Sequence, residues 1–92
     1  YASLGSDKKN RHMEPFVVTL EPTTVKMTKT STHGGEEFIY VLEGEMEVIF
    51  GNHRDVLLPG DSIYFESSIP HRVQCHREKV TKILAVLYTQ NS

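Results

Sequence analysis

The sequence has 92 residues, enough for one small domain, and carries a formal net charge of −2 from 10 basic and 12 acidic residues. This balance argues against direct binding of nucleic acid, which favours a strongly basic face. A single cysteine, Cys75, excludes an intrachain disulfide framework and favours the reducing cytoplasm. No stretch approaches the roughly 20 apolar residues that span a membrane, and no signal-peptide pattern is present.

The first twelve residues, YASLGSDKKNRH, are polar and show no period. We therefore expect residues 1–12 to be a linker or N-terminal arm and residues 13–92 to form the folded domain. The chain starts with Tyr1 rather than Met, so we expect a piece of a longer protein or a processed chain. Lys8, Lys9 and Arg11 have two open interpretations, as solvated linker charges or as a short basic arm that contacts DNA.

From Phe16 onward, short apolar or alternating runs follow one another without a helical period. Turn residues separate the runs, as at Gly51-Asn52 and Pro59-Gly60-Asp61. The predicted strands are FVVTL (16–20), TVKMTKT (24–30), EFIYVLE (37–43), EMEVIF (45–50), HRDVLL (53–58), SIYF (62–65), HRVQCH (71–76) and KILAVLYT (82–89). About eight short strands predict an all-β domain, either a small barrel or a sandwich.

The predicted strands 37–43 and 82–89 are apolar on both faces. In the first, Ile39 and Val41 lie on one face, and Phe38, Tyr40 and Leu42 on the other. A strand of this kind is covered on both sides, and a 92-residue chain has too little material for a second layer. We therefore expect a homodimer with twofold symmetry. The alternative is that FVVTL folds back as the cover within one chain.

Three polar residues are candidates for the barrel interior. Because strand side chains alternate with period two, Glu37 shares the face of Ile39 and Val41, and His33 can share it if no bulge intervenes. The same period places His71 on one face with Val73 and Cys75. Two histidines and one carboxylate form a set suited to Fe, Mn, Ni or Zn. On spacing alone another interpretation stays open: His33 in a loop, Glu37 paired with an arginine, and His71 following a proline turn.

Two motifs make the chain resemble the cupin family. The run from His33 through Glu37 to Gly44 matches the second histidine, the glutamate and the final glycine of the first cupin motif, and Ser31 stands at the first histidine. Gly60 and His71 match the second motif, in which Glu66, Ser68 and Cys75 replace the usual proline, glycine and asparagine. Fifteen residues, 45–59, separate the motifs, as in compact bacterial cupins.

This resemblance implies a small cupin-type β-barrel, a double-stranded β-helix or jelly roll of antiparallel strands. It implies that His33, Glu37 and His71 converge inside the barrel, where either a divalent transition metal (Zn, Ni, Fe or Mn) or water can lie between them. Ser31 can hold water or a polar group of an effector in place of the missing histidine, or can be an exposed serine. The predicted ligand-binding residues are Ser31, Ile39, Val41, Val73 and Cys75.

A narrower resemblance concerns the stretches RHMEPFVVTLEP, HGGEEFIYVLEGEMEV and LLPGDSIYFESSIPHRV. They are similar to the C-terminal cupin of bacterial regulators that carry an N-terminal helix-turn-helix of the Xre/Cro type. The resemblance implies a cytoplasmic domain that senses a small-molecule effector and dimerises, with DNA bound through a helix-turn-helix that residues 1–15 do not contain. Two alternatives remain: a stand-alone metal-dependent cupin enzyme, such as a dioxygenase or isomerase, and a purely structural dimeriser.

Overall fold

A computed structural model describes residues 2–3, 12–22, 27–29 and 35–89. These residues form nine strands, all paired antiparallel. The strands are β1 (Ala2–Ser3), β2 (Met13–Leu20), β3 (Met27–Lys29), β4 (Gly35–Glu43), β5 (Met46–Phe50), β6 (His53–Leu57), β7 (Ser62–Glu66), β8 (His71–Cys75) and β9 (Thr81–Thr89). Within this part of the chain, no helix is long and apolar enough to cross a membrane.

The strands form two sheets. Sheet 1 has the order β1-β2-β9-β4-β7, and sheet 2 has the order β3-β8-β5-β6. A strand is present at each of the eight predicted places, which confirms the all-β prediction. β2 pairs edge to edge with β9 in sheet 1, so the alternative in which FVVTL covers this sheet is wrong. β1 lies inside the predicted linker and pairs with β2, and the domain boundary after residue 12 stays a prediction.

The core lies between the two sheets and contains side chains from both. Sheet 1 contributes Ile39 and Val41 from β4, and sheet 2 contributes Met46 and Val48 from β5, all four at most 1% exposed. Successive strand residues point to opposite sides, so the alternation fixes which face of each strand enters the core. Burial of such side chains contributes about 25 cal/mol for each Å² of apolar surface removed from water.

Gly44 makes the corner at which the chain leaves sheet 1 for sheet 2. Its φ is +84°, a conformation that L side chains rarely adopt. A Cβ here would lie 2.5 Å from the Val80 carbonyl oxygen and 2.6 Å from the Thr81 hydroxyl. That buried hydroxyl accepts a hydrogen bond from the amide of Glu45 (3.0 Å) and lies within donating distance of the Glu45 carbonyl (2.8 Å). The corner therefore requires glycine.

The outer face of sheet 1 carries exposed apolar side chains, as the two-faced strands predict. Ile39 and Val41 fill the core, whereas Phe38, Tyr40 and Leu42 point outward from the same strand. Among the described residues, the exposed large side chains of this face are Met13, Tyr40, Leu42, Tyr64 and Tyr88. The predicted dimer would cover this face around Tyr40 and Leu42.

Candidate functional site

Glu37 and His71 face each other inside the barrel. Glu37 lies on β4, in register with Phe65 of β7 and Leu87 of β9, and His71 begins β8 directly after Pro70. Both side chains are buried, at 9% and 3% exposure. The Oε1 atom of Glu37 lies 3.8 Å from the Nε2 atom of His71. Two of the three predicted metal ligands are thus brought together, one from each sheet.

A second contact fixes the orientation of the imidazole. The Nδ1 atom of His71 lies 2.8 Å from the carbonyl oxygen of Ile69, which can only accept a hydrogen bond. Nδ1 therefore carries a proton, and whenever the ring is neutral its Nε2 presents a lone pair toward Glu37. On the other side, Oε1 of Glu37 is buried without a hydrogen-bond partner. Two atoms that can accept a proton or bind a cation therefore face each other.

Two phenylalanine rings surround the imidazole. The ring centroids of Phe65 and His71 are 4.6 Å apart in an edge-to-face arrangement, and Phe50 lies 6.2 Å from His71. Phe50 and Phe65 also contact each other edge-to-face at 5.2 Å. These rings keep the polar pair in a setting of low dielectric, where an attraction to a cation is stronger than in water.

The remaining predicted site residues have mixed placements. Ile39, Val41 and Val73 are buried in the core, and Cys75 is a half-buried free thiol that packs against it. Their contact with an effector stays a prediction. The other two predicted residues, His33 and Ser31, lie outside the described part of the chain. Among the described residues, no three His, Cys, Asp or Glu side chains lie close enough to hold a metal ion.

The structure adds interior residues that the sequence argument did not select. Phe50 and Phe65 contact the site but look like ordinary core residues in the sequence. Glu14 is in register with Leu87, which also pairs with Glu37, so both glutamates occupy one row of the inner face of sheet 1. Predicting the start of β2 at Met13 rather than Phe16 would have placed Glu14 on this face by alternation.

A second buried carboxylate lies on the outer face of sheet 2. Glu47 of β5 is in register with Gln74 of β8, and its side chain is only 7% exposed. Its oxygens accept hydrogen bonds from Nε2 of Gln74 and, at 3.3 Å, from Nδ1 of His76. The guanidinium of Arg54 on β6 lies 3.8 Å from the same carboxylate. We call Glu47, Arg54, Gln74 and His76 the outer cluster.

The two antiparallel sheets, with a histidine and a glutamate facing each other between them, define a small β-barrel that carries a polar interior site. The chain belongs to the cupin domain family, which it matches over residues 16–87. This confirms the family and the fold that its two motifs predict.

Solved structures of regulators are similar to this chain. A Vibrio cholerae transcriptional regulator of the HTH_3 family superposes with a TM-score of 0.81 at 26% identity, over 97% of this chain and 49% of that one. The cupin domain of an XRE family regulator from Enterobacter cloacae superposes with a TM-score of 0.85 at 16% identity, over 98% of this chain and 95% of that one. The second likeness shows the fold alone.

An enzyme is also related. The (S)-2-hydroxypropylphosphonic acid epoxidase of Streptomyces wedmorensis is 37% identical over an alignment of 78 residues, and the match covers 77% of this chain and 38% of the epoxidase. The chain therefore spans less than half the length of this curated relative. The cupin family thus connects this sequence both to regulators and to an enzyme.

Proposed function

We propose that this chain is the small-molecule-sensing and dimerisation domain of a bacterial transcriptional regulator, which acts in the cytoplasm. The 26% identity to the Vibrio cholerae regulator, over 97% of this chain, supports the regulatory role. DNA is then contacted by a helix-turn-helix elsewhere in the full protein. The net charge of −2 agrees with this division, because binding to phosphates requires an excess of basic residues.

The unpartnered oxygen of Glu37 is the observation that carries the sensing role. A buried acceptor without a hydrogen bond costs about 1–3 kcal/mol, and a ligand that donates to it recovers this cost. The rings of Phe50 and Phe65, which surround His71, offer apolar contacts nearby. The effector of this site is thus a small molecule with one polar, hydrogen-donating end directed at Glu37.

The same pair fits a divalent transition metal. An imidazole nitrogen and a carboxylate are ligands that Fe, Mn, Ni and Zn accept. The contact from Nδ1 of His71 to the Ile69 carbonyl is the kind of outer contact that orients metal-binding histidines. His33, which matches a histidine of the first cupin motif, would be the third ligand. A bound metal would act as a Lewis acid that anchors the effector.

A metal-dependent enzyme is the second candidate, and the 37% identity to the Streptomyces wedmorensis epoxidase favours it. In that case Glu37, His71 and His33 hold the metal, and the phenylalanine rings limit access of water to it. The reading frame upstream of residue 1 distinguishes the candidates. An in-frame helix-turn-helix supports the regulator, and a full-length protein that converts a substrate supports the enzyme.

Dimerisation forms part of the proposal. The exposed Tyr40 and Leu42 extend from β4 on the outer face of sheet 1, where a symmetric partner would cover them. Twofold pairing also suits a regulator, because two recognition helices must be held at a fixed spacing. Sedimentation at micromolar concentration tests this, and we expect a dimer that Tyr40→Asp dissociates.

A matched pair of histidine variants tests the interior site. His71 begins β8 and lies beside Glu37 inside the barrel, whereas His76 directly follows the end of β8 and lies beside Glu47 on the outer face of sheet 2. His71→Gln therefore removes the interior imidazole, and His76→Gln serves as the control. Calorimetric titration with Zn²⁺, Ni²⁺, Mn²⁺ and Fe²⁺ measures metal binding to each protein. We expect binding that His71→Gln abolishes and His76→Gln retains.

A panel of small metabolites tests effector binding by thermal shift. We expect a stabilising compound whose effect is lost in Glu37→Gln and kept in Glu47→Gln. If no metal binds, the metal part of the proposal is wrong. If, in addition, no compound depends on Glu37, the sensing role is wrong.

A further inference from the structure

A hollow of about 330 Å³ lies on the outer face of sheet 1. Outward-facing residues of β2, β4 and β9 line it with apolar groups, namely Met13, Phe38 and Val86. Two further rings, Tyr64 of β7 and Tyr88 of β9, also line it. Glu37 also lines the hollow, but its carboxylate points to the other side of the sheet, where it lies 3.8 Å from His71, so the hollow and the interior site are on opposite faces.

The charge of the hollow is negative. Glu36 points outward on the same face as Phe38. Hydrogen bonding to its carboxylate raises the pKa of the Tyr64 phenol above its ordinary value. Glu66 is directly opposite Glu36 on the neighbouring strand. Among the described residues, no basic side chain lines the hollow.

Directly opposed like charges destabilise a pair of strands. A cation near Glu36 and Glu66 therefore relieves a repulsion that already exists in the protein. The rings add to this attraction, since the negative face of an aromatic ring attracts an ammonium group within about 6 Å. Tyr64 and Tyr88 are 63% and 37% exposed, so a ligand can reach them.

We propose that this hollow binds an organic cation of the alkylammonium class, with its charge beside Glu36 and its alkyl groups against Phe38, Tyr64 and Tyr88. An uncharged apolar ligand would remove water from the Glu36 carboxylate without replacing it, which is costly. An anion would meet two carboxylates. The volume is at the lower end of small-molecule sites, which fits a compact ammonium ion.

The hollow and the proposed dimer contact can coexist. Glu36 and Tyr40 lie four residues apart on β4, which corresponds to about 13 Å along the strand. Dimerisation through Tyr40 and Leu42 therefore leaves room at the Glu36 end of the sheet.

Choline is a suitable probe, and 3,3-dimethylbutan-1-ol is its uncharged counterpart of the same shape. Titration of the whole chain at about pH 8, where most histidine side chains are neutral, is followed by NMR of the tyrosine and phenylalanine rings. We expect choline to shift the ring signals of Phe38, Tyr64 and Tyr88 and to bind at least about fivefold more tightly than the alcohol, the range that a cation–π contact gives.

Two variants locate the site. Tyr64→Leu keeps apolar bulk at an exposed position but removes the ring, and Glu36→Gln removes the charge; each should weaken choline binding by about 3–10-fold. Glu43→Gln is the control, because it removes one charge from the far end of the same strand. Absence of choline binding, equal binding of the alcohol, or equal affinity in all three variants would overturn the proposal. Choline binding that depends on His71 instead would also overturn it, while supporting the interior site.

Discussion

Two of the buried residues described above are glutamates that each lie beside a histidine, one at the start of β8 and one directly after its end. Inside the barrel, Glu37 lies 3.8 Å from His71. On the outer face of sheet 2, Glu47 lies 3.3 Å from His76. Both glutamates are less than a tenth exposed. By residue type and proximity the two pairs are nearly the same, although the side chain of His71 is 3% exposed and that of His76 is 25% exposed.

The hydrogen bonds distinguish them. Both oxygens of Glu47 have donors, from Gln74 and His76, with Arg54 close by. In contrast, Oε1 of Glu37 is buried and has no partner. A carboxylate that the protein itself satisfies contributes to folding, whereas one left unsatisfied indicates a group supplied from outside. One polar atom of the outer cluster is also unsatisfied, because Oε1 of Gln74 is buried without a hydrogen-bond partner.

The largest effect on stability is expected at Gly44, which forms the corner between β4, the strand of Glu37, and β5, the strand of Glu47. Gly44→Ala places a methyl group 2.5 Å from the Val80 carbonyl, in a left-handed conformation. The conformation costs about 1–2 kcal/mol and the overlap about 1–3 kcal/mol more, so we expect a loss of roughly 2–5 kcal/mol in urea unfolding. Gly51→Ala is the control, because its φ is also positive but its Cβ would meet open space. Equal losses would contradict the steric argument.

Glu47→Gln should have the second-largest effect on the free energy of unfolding. The amide nitrogen of the new side chain must face one of the donors that now bind the carboxylate. Hydrogen bonds to a charged group contribute about 1.5–3 kcal/mol, so we expect the free energy of unfolding to fall by about 1–3 kcal/mol. Denaturant titration measures it. A change below about 0.5 kcal/mol would mean that the outer cluster does not stabilise the fold.

In protein treated with a chelator, Glu37→Gln should not lower the free energy of unfolding, in contrast to Glu47→Gln. The new amide can donate a hydrogen bond toward the Nε2 atom of His71, which the carboxylate cannot do. We expect the free energy of unfolding to stay equal or to rise by up to about 1 kcal/mol. A loss as large as that of Glu47→Gln would show that both glutamates are structural, and the contrast between them would disappear.

The smallest effect is expected at a third, half-buried carboxylate, that of Glu45, which pairs with the exposed Lys79. The ammonium of Lys79 lies 2.6 Å from Glu45, and this hydrogen bond lowers the pKa of Glu45 below 4.5. The stabilisation is therefore complete above pH 4.5 and is lost as the pH falls through the lower folded value. Glu45→Gln and Lys79→Met should each make the free energy of unfolding depend less steeply on pH at acid pH, which denaturant titrations at a series of pH values measure. An unchanged slope in both would refute this role.

Much of the fold could be predicted from the sequence, because alternation reports which side of a strand is apolar. It placed Ile39 and Val41 inside and Phe38, Tyr40 and Leu42 outside, as the structure has them. The motifs selected Glu37 and His71, which the structure brings together. The role of these residues as metal ligands stays a prediction.

Contacts between strands could not be predicted in this way. Alternation points Glu47 outward, and an outward glutamate is usually exposed. Its burial depends on Gln74 of β8, His76 directly after that strand and Arg54 of β6, which reach it from both sides. Register between strands distant in sequence decides such contacts, and the pattern of a single strand does not contain it. The hollow beside Glu36 was missed for the same reason, because three other strands contribute to it.

The position of β9 in sheet 1 has a consequence for the order of folding. β9 follows all the other described strands along the chain, yet it lies in the middle of sheet 1 between β2 and β4. During synthesis, β2 and β4 are therefore made without the strand that joins them, and their edges and apolar faces stay open to other chains. β5 and β6, joined by a tight hairpin, can pair much earlier. A released chain that ends before residue 81 would thus contain this hairpin but would lack the central strand of sheet 1, the state in which a chaperone would be needed most.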